Sequence, residues 1–330
     1  MARQNVSTLT DEHTYSASTE TSLDIPETGY VSHISCLIKL GVTAGTSVTP
    51  KQDASSVLED AIARIIDAMR ITAAGGKNYY DITDGRQGFF KEYYRLEGKP
   101  QIGTLPEAGD TADVYLEIII HPGLNPFDVW DRSVIIPGAE LSNLKHRISW
   151  GAAASLGSGY TINSGVCTLT IYEWQLEPGE SRDALFPGGI NVPLLEAREL
   201  SITGDYSNLG KTDDVPVGSV LHSVLIMPLD DSGDRSDGEI SEVGLVYPKK
   251  QKATPFRQDW YPMKFGNKAQ FSLADALVGC NTLPLEWITR RAMGMDLTAA
   301  MEGDVKLGFT VALSNSSATF HILYSSIALG

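Results

Sequence analysis

Residues 125–151, NPFDVWDRSVIIPGAELSNLKHRISWG, bring Asp128, Asp131, His146 and Arg147 within about twenty positions, with His121 just upstream. A carboxylate to take a proton, an imidazole to relay it and a guanidinium to steady developing charge are the parts of an acid–base pocket. Such a pocket also needs a nucleophile or water, with the base ~3 Å from the proton it takes. His121 and His146 lie far apart in sequence, and neither a Gly-x-Ser-x-Gly elbow nor a His-x-x-x-His pair accompanies them. The competing reading is a decorated connection between strands, with Asp128 and Asp131 accepting backbone N–H bonds as Asp does in turns. Without catalytic spacing, the structural reading outweighs the catalytic one.

A second acidic group, LDDSGDRSDGE at 229–239, offers Asp230, Asp231, Asp234 and Asp237, with Glu239 behind them. Hard oxygen ligands at this density could hold Ca²⁺, but Arg235 stands where the EF-hand turn needs Gly. A solvated surface loop is the stronger expectation, and neither a metal nor a cofactor is expected. Cys36, Cys167 and Cys280 are odd in number, widely spaced and in no C-x-x-C arrangement. A disulfide framework and a thiolate metal site are therefore both disfavoured, and buried free thiols in a reducing cytoplasm are expected. Lys249, Lys250 and Lys252 form a short basic patch that suits an acidic neighbour or a plain solvated turn.

A net charge of −15 argues against a chain whose main task is gripping phosphate backbones. With 42% apolar and 20% charged residues in a 330-residue chain, about two globular domains are expected. No segment approaches 18 consecutive apolar residues. Residues 1–24 are polar, rich in Ser and Thr and poor in Lys and Arg; they read as a mobile arm rather than a signal peptide or a basic tail.

The elements that must position these groups are mainly strands. Period-2 alternation puts Tyr30, Ile34, Cys36, Ile38 and Leu40 on one face of a strand, and Val114, Leu116, Ile118 and Ile120 on one face of another. Val305, Leu307, Phe309, Val311 and Leu313 repeat the pattern, as do Phe320, Ile322 and Tyr324. Further strands are expected at 145–150, 166–176, 197–203, 219–227 and 240–247. A helical turn near 55–63 should feed a strand at 64–72. Short helices are expected at 271–279, capped by Ser272, and at 283–293. The stretch 177–196 mixes Pro, Gly and charge without strand period. The expected organisation is thus an arm at 1–24, a sandwich at 25–178, a linker at 179–196 and a second sandwich at 197–330. The fold class is all-β: two consecutive antiparallel jelly-roll sandwiches with a few short helices.

The order of pieces in the first half resembles the double jelly-roll major capsid proteins of tailless icosahedral bacterial and archaeal viruses. The strand GYVSHISCLIKLG is followed by IIDAMRITAAGGKNYYDI. The run LEIIIHPGLNPFDVWDRSVIIPGAELSNLKHRISWG comes next, and GVCTLTIYEWQL closes the series. The elements that carry the likeness are Asp128 and Asp131, the Ile135-Ile136-Pro137 step, and Ile148, Trp150 and Gly151. The resemblance covers residues 25–176, and the second half follows only as a strand pattern. It implies two rolls per chain, homotrimers of hexagonal outline that tile an icosahedral virion shell, and contacts with neighbouring capsomers, penton and minor capsid proteins. The residues themselves point to no catalytic group and no sequence-specific nucleic acid binding, and contact with an internal membrane, which some relatives make, is unsupported by the polar arm. Phe127, Trp130, Phe256 and Trp260 are the expected apolar residues at subunit contacts. Two rival readings from other classes are a glycan-processing hydrolase, which needs two carboxylates ~5 to 9.5 Å apart, and a carbohydrate-binding sandwich. The second would use Trp260-Tyr261 or Tyr79-Tyr80 as a platform, although adjacent residues of a strand point to opposite faces.

Overall fold

Strands rather than helices make up the bulk of the regular structure, because apolar and polar side chains alternate along much of the chain. The computed structural model describes residues 2–51, 60–100, 102–248, 256–285, 293–314 and 316–330. These divide into two compact units, one reaching Leu195 and including Leu329–Gly330, the other running from Glu196 to Ala328.

The first unit contains β1 (Arg3–Thr8), β2 (His13–Thr14), β3 (Glu20–Asp24), β4 (Tyr30–Pro50), β5 (Ile66–Thr72), β6 (Asn78–Ile82), β7 (Thr111–Ile120), β8 (Lys145–Trp150) and β9 (Gly157–Gln175). One sheet has the order β1-β9-β4-β7, with β2 also pairing β9, and the other has the order β3-β8-β5-β6. Cys36, Ile38, Leu40, Leu116, Ile118, Cys167, Leu169 and Ile171 of the first sheet and Met69, Ile71, Ile82, Ile148 and Trp150 of the second are buried. The two layers meet where Cys36 Sγ lies 3.7 Å from His146 Nε2.

The second unit contains β10 (Val192–Ile202), β11 (Tyr206–Asp214), β12 (Val220–Leu229), β13 (Ile240–Val246), β14 (Phe256–Asp259), β15 (Asn281–Pro284), β16 (Met295–Asp296), β17 (Lys306–Val311) and β18 (Ala318–Ala328). Its sheets have the orders β10-β18-β12-β15 and β11-β17-β13-β14, with the two-residue β16 pairing β12. Val224, Ile226, Phe320, Ile322 and Tyr324 pack with Val243, Leu245, Leu307, Phe309 and Trp260. Phe309 and Phe320 meet edge to face at 5.2 Å across the two layers.

Leaving out β2 and β16, the described residues of each unit form eight principal strands with the same wiring. One sheet takes them in the order first-eighth-third-sixth, the other second-seventh-fourth-fifth. This is the double Greek key of a jelly roll, and the chain builds it twice. An eleven-residue helix occupies the same place in both, between the fifth and sixth strands: α1 (Gly85–Arg95) in the first and, after the short α2 (Arg182–Leu185), α3 (Trp260–Gln270) in the second.

Several elements differ from the sequence reading. Residues 3–8, expected in a mobile arm, pair antiparallel with β9 from Arg3↔Gln175 to Thr8↔Thr170, because β9 would otherwise be left with an open edge. The stretch 179–196 is packed: Leu185, Phe186 and Ile190 cluster with Tyr30 and Ile135, and β10 begins at Val192. The described part of the turn before β5 is a 3₁₀ helix at Ala61–Ile65; residues 55–59 lie outside the described set. No helix forms over 272–279. Ser272, at φ 51°, instead ends α3, with Ser272 N–H donating to Ala269 O and Leu273 N–H to Lys268 O. That is a Schellman cap, so the residue expected to start a helix terminates the preceding one. The run at 283–293 begins as strand β15, and its residues 286–292, like Lys249, Lys250 and Lys252, lie outside the described set.

Candidate assembly surface

The residues of the 121–151 stretch do not converge. Asp128 Oδ1 accepts the Trp130 N–H at 3.0 Å. Asp131 accepts the N–H groups of Asn125 (2.7 Å) and Ser133 (2.9 Å) as well as the Ser133 hydroxyl (2.7 Å). Burial pushes the Asp131 carboxyl up, but these bonds outweigh it and hold the group below its ordinary value. Both aspartates therefore shape the turn. Arg147 pairs with Glu20 across β3 and β8 at 3.0 Å. His146 lies inside the roll, with its Nδ1 2.8 Å from His13 Nε2. His13 Nδ1 is in turn 2.8 Å from Thr21 Oγ1. Burial lowers the pKa of His13 to about 4 and that of His146 well below 6.5, so both are neutral at pH 7.

His121 belongs to a different cluster. Its Nε2–H donates to Asp128 O at 2.9 Å, and its ring stands 5.4 Å from that of His33. Beside them, buried Glu92 of α1 faces Lys91 and Arg95. Burial alone would raise the Glu92 pKa, but the two cations hold it at about 2. Arg95 also donates to the carbonyls of His121 (2.6 Å) and Gly123, tying α1 to the start of the 121–133 loop.

The acidic run is equally committed. Asp230 Oδ1 accepts the N–H groups of Ser232 and Asp234, closing its own turn. Asp237 accepts Trp260 Nε1–H (2.7 Å), Gly279 N–H (2.9 Å) and Lys264. Asp231 is exposed. No group of three His, Cys, Asp or Glu side chains among the described residues is arranged to hold a metal ion. All three cysteines are buried and lie outside any disulfide.

Of the four residues expected at subunit contacts, Phe127 is 52% exposed and Trp130 half-buried against Tyr172 and Trp174. Phe256 is half-buried against the core of the second unit. Trp260 is wholly buried in that core and cannot meet a neighbour; its indole N–H on Asp237 fixes the start of α3. Tyr79 and Tyr80 are buried too, and of the Trp260-Tyr261 pair only Tyr261 reaches solvent, so neither pair forms a sugar-binding platform. Sequence reasoning missed Phe265 and Met301, the most exposed large apolar side chains among the described residues, and named Tyr261 only as half of a sugar platform. Tyr261 (52%) and Phe265 (61%) lie one turn apart on α3, and Met301 is 70% exposed. Leu37 and Tyr115 project from the outward face of β4 and β7. One cavity of about 270 Å³, lined in part by Arg132, Trp174 and Leu185, is smaller than the ~300–1,000 Å³ usual for a small-molecule site.

No protein-family model matches the sequence, and no curated protein matches it. Solved structures do. A crystal structure of the STIV major capsid protein shares 16% identity over 99% of this chain and 97% of its own, with a TM-score of 0.75. The atomic structure of Sulfolobus Turreted Icosahedral Virus gives 0.76 at 16% identity, over 99% and 91%. The major capsid protein of Bacteriophage PM2 gives 0.54 at 12% identity, over 98% of both chains. With the same eight-strand wiring in both of its units, this chain has the double jelly-roll fold of these viral major capsid proteins.

Proposed function

We propose that the chain is a structural protein, the major capsid protein of an icosahedral virion, and that three copies associate into a capsomer of hexagonal outline. The observation that carries this reading is the duplicated wiring: three chains with two like-built rolls each supply six similar lobes. Full-length likeness to major capsid proteins supports it. So do the apolar side chains left exposed on both units, and a 121–151 stretch whose polar groups are engaged in turns and pairs. Its partners are then further copies of itself, with neighbouring capsomers and penton and minor capsid proteins at the shell's special positions, after folding in the host cytoplasm. Permanent interfaces of this kind bury roughly 2,000 Å² or more. Native mass spectrometry of the purified chain tests the reading. A species of three times the 35.7 kDa chain mass supports it, and a monomer at all concentrations defeats it.

A further inference from the structure

His33 of β4 and His121, just past β7, flank the paired residues Ile34 and Ile120 and therefore share the outward face of the sheet. Residues 122–133 are tied down over them. Ser32 Oγ donates to Val129 O at 2.8 Å, His121 Nε2–H to Asp128 O at 2.9 Å and Trp174 Nε1–H to Trp130 O at 3.1 Å. The Trp130 ring rests 5.5 Å from that of Tyr172, whose other neighbour is His33 at 5.0 Å. Both histidines are more than nine-tenths buried, and the Nδ1 atom of each is buried without a hydrogen-bond partner.

We propose that residues 122–133 form an acid-released latch: protonation of His33 and His121 detaches the segment from the sheet and uncovers Tyr172 and Trp174. A carbonyl can only accept, so the bond to Asp128 O fixes the neutral His121 as the Nε2–H tautomer, with a bare lone pair on Nδ1. A proton added there gains no acceptor and creates a buried charge. The groups that face the pair are Glu92, Lys91 and Arg95 of α1, Tyr172 of β9 and Asp131 of the loop. Arg95 and Lys91 oppose a further cation, and Glu92 already serves both of them. Asp131 is occupied by Asn125 and Ser133. Burial and the neighbouring imidazole lower the His33 pKa to about 4, and burial and Arg95 lower that of His121. Once the segment is released, the rings meet water and regain an ordinary affinity for protons near pH 6.5. For His33 alone that shift corresponds to roughly 300-fold tighter proton binding in the released form. The latch is a property of the single chain and holds whether or not chains assemble.

Hydrogen–deuterium exchange of the intact protein, corrected for the intrinsic pH dependence of exchange, tests it. Between about pH 7 and pH 4.5, amides of 122–133 should lose protection by about tenfold or more, reversibly, while those of β4 and β9 stay protected. The double variant His33→Phe/His121→Gln keeps a ring beside Tyr172 and a donor to Asp128 O but has nothing to titrate there; its loop should stay protected throughout. Wild-type protection of the loop that persists until the strands themselves open overturns the proposal. So does a double variant that loosens at the same pH as wild type. The wild-type measurement decides even if the variant does not fold.

Discussion

Trp260 separates the core of the second roll from its surface, and replacing it tests that assignment. The indole is fully buried among Leu245, Phe309 and the other apolar side chains of this unit, and its N–H is 2.7 Å from Asp237 Oδ1. Truncation to Ala should remove about 3–5 kcal/mol through lost contacts and the cavity left behind. For a unit of this size that corresponds to a fall of about 10–20 °C in its melting temperature. Trp260→Phe keeps most of the apolar area but loses a hydrogen bond to a carboxylate, for about 2 kcal/mol. Asp237 would still hold Lys264 and Gly279 N–H, so the local turn should survive. Calorimetric unfolding reads the stability, and native mass at temperatures where the Phe variant is folded reads association. A core role predicts a graded loss of stability, Ala beyond Phe, with association of the folded Phe variant unchanged. An Ala variant that melts within about 2 °C of wild type but no longer associates would refute it, because a surface position away from such features changes stability by about 0.5 kcal/mol at most.

Other consequences follow from buried charge, close packing and protonation. Glu92→Gln leaves the partly buried Lys91 and Arg95 beside a neutral group and should cost about 3 kcal/mol in urea unfolding. In α1, a Cβ at Gly88 would stand 2.7 Å from Tyr80 Oη, 2.9 Å from Ile82 Cδ1 and 3.1 Å from Ile118 Cγ2. Gly88→Ala therefore sets a helix-propensity gain of about 1 kcal/mol against overpacking of about 1–3 kcal/mol. A lowered melting temperature is expected, since Ile82 and Ile118 are fixed in strands. His13 is neutral when folded, with a pKa lowered to about 4 against 6.5 when unfolded, so its contribution is complete above pH 6.5 and disappears as pH falls toward 4. Urea midpoints should show about 2 kcal/mol of this loss, and His13→Gln, which keeps a donor toward His146, should flatten that part of the curve.

Strands with a strict alternation were legible in the sequence because one face of each is buried: Val305, Leu307, Phe309 and Val311 are all interior, as their spacing requires. β11 was not legible. Asn208 and Leu209, at φ 53° and 56°, break its register between Tyr206 and Lys211 and scramble the period. α1 was hidden by Gly85 and Gly88, poor helix formers that the close approach of Ala63 O and of Tyr80 and Ile82 demands. For α3 the signals were present: Asp259 precedes it, and Pro262 falls in its first turn, where proline is tolerated. Ser272 offers a similar cap signal further on, and local chemistry alone does not choose between the two. The turn roles of Asp128 and Asp131 follow from local chemistry and could be read from the sequence. Which aromatics reach solvent could not. Trp260 and Tyr261 are neighbours in sequence, and only the packing of α3 decides that one is interior and the other exposed.

Electron microscopy of assembled particles tests the central claim most directly. Two like-wired rolls in each of three chains predict six-lobed capsomers whose density takes one chain for every two lobes. Capsomers built from five or six separate chains, or material that forms no ordered shell and remains a single folded chain, would contradict it.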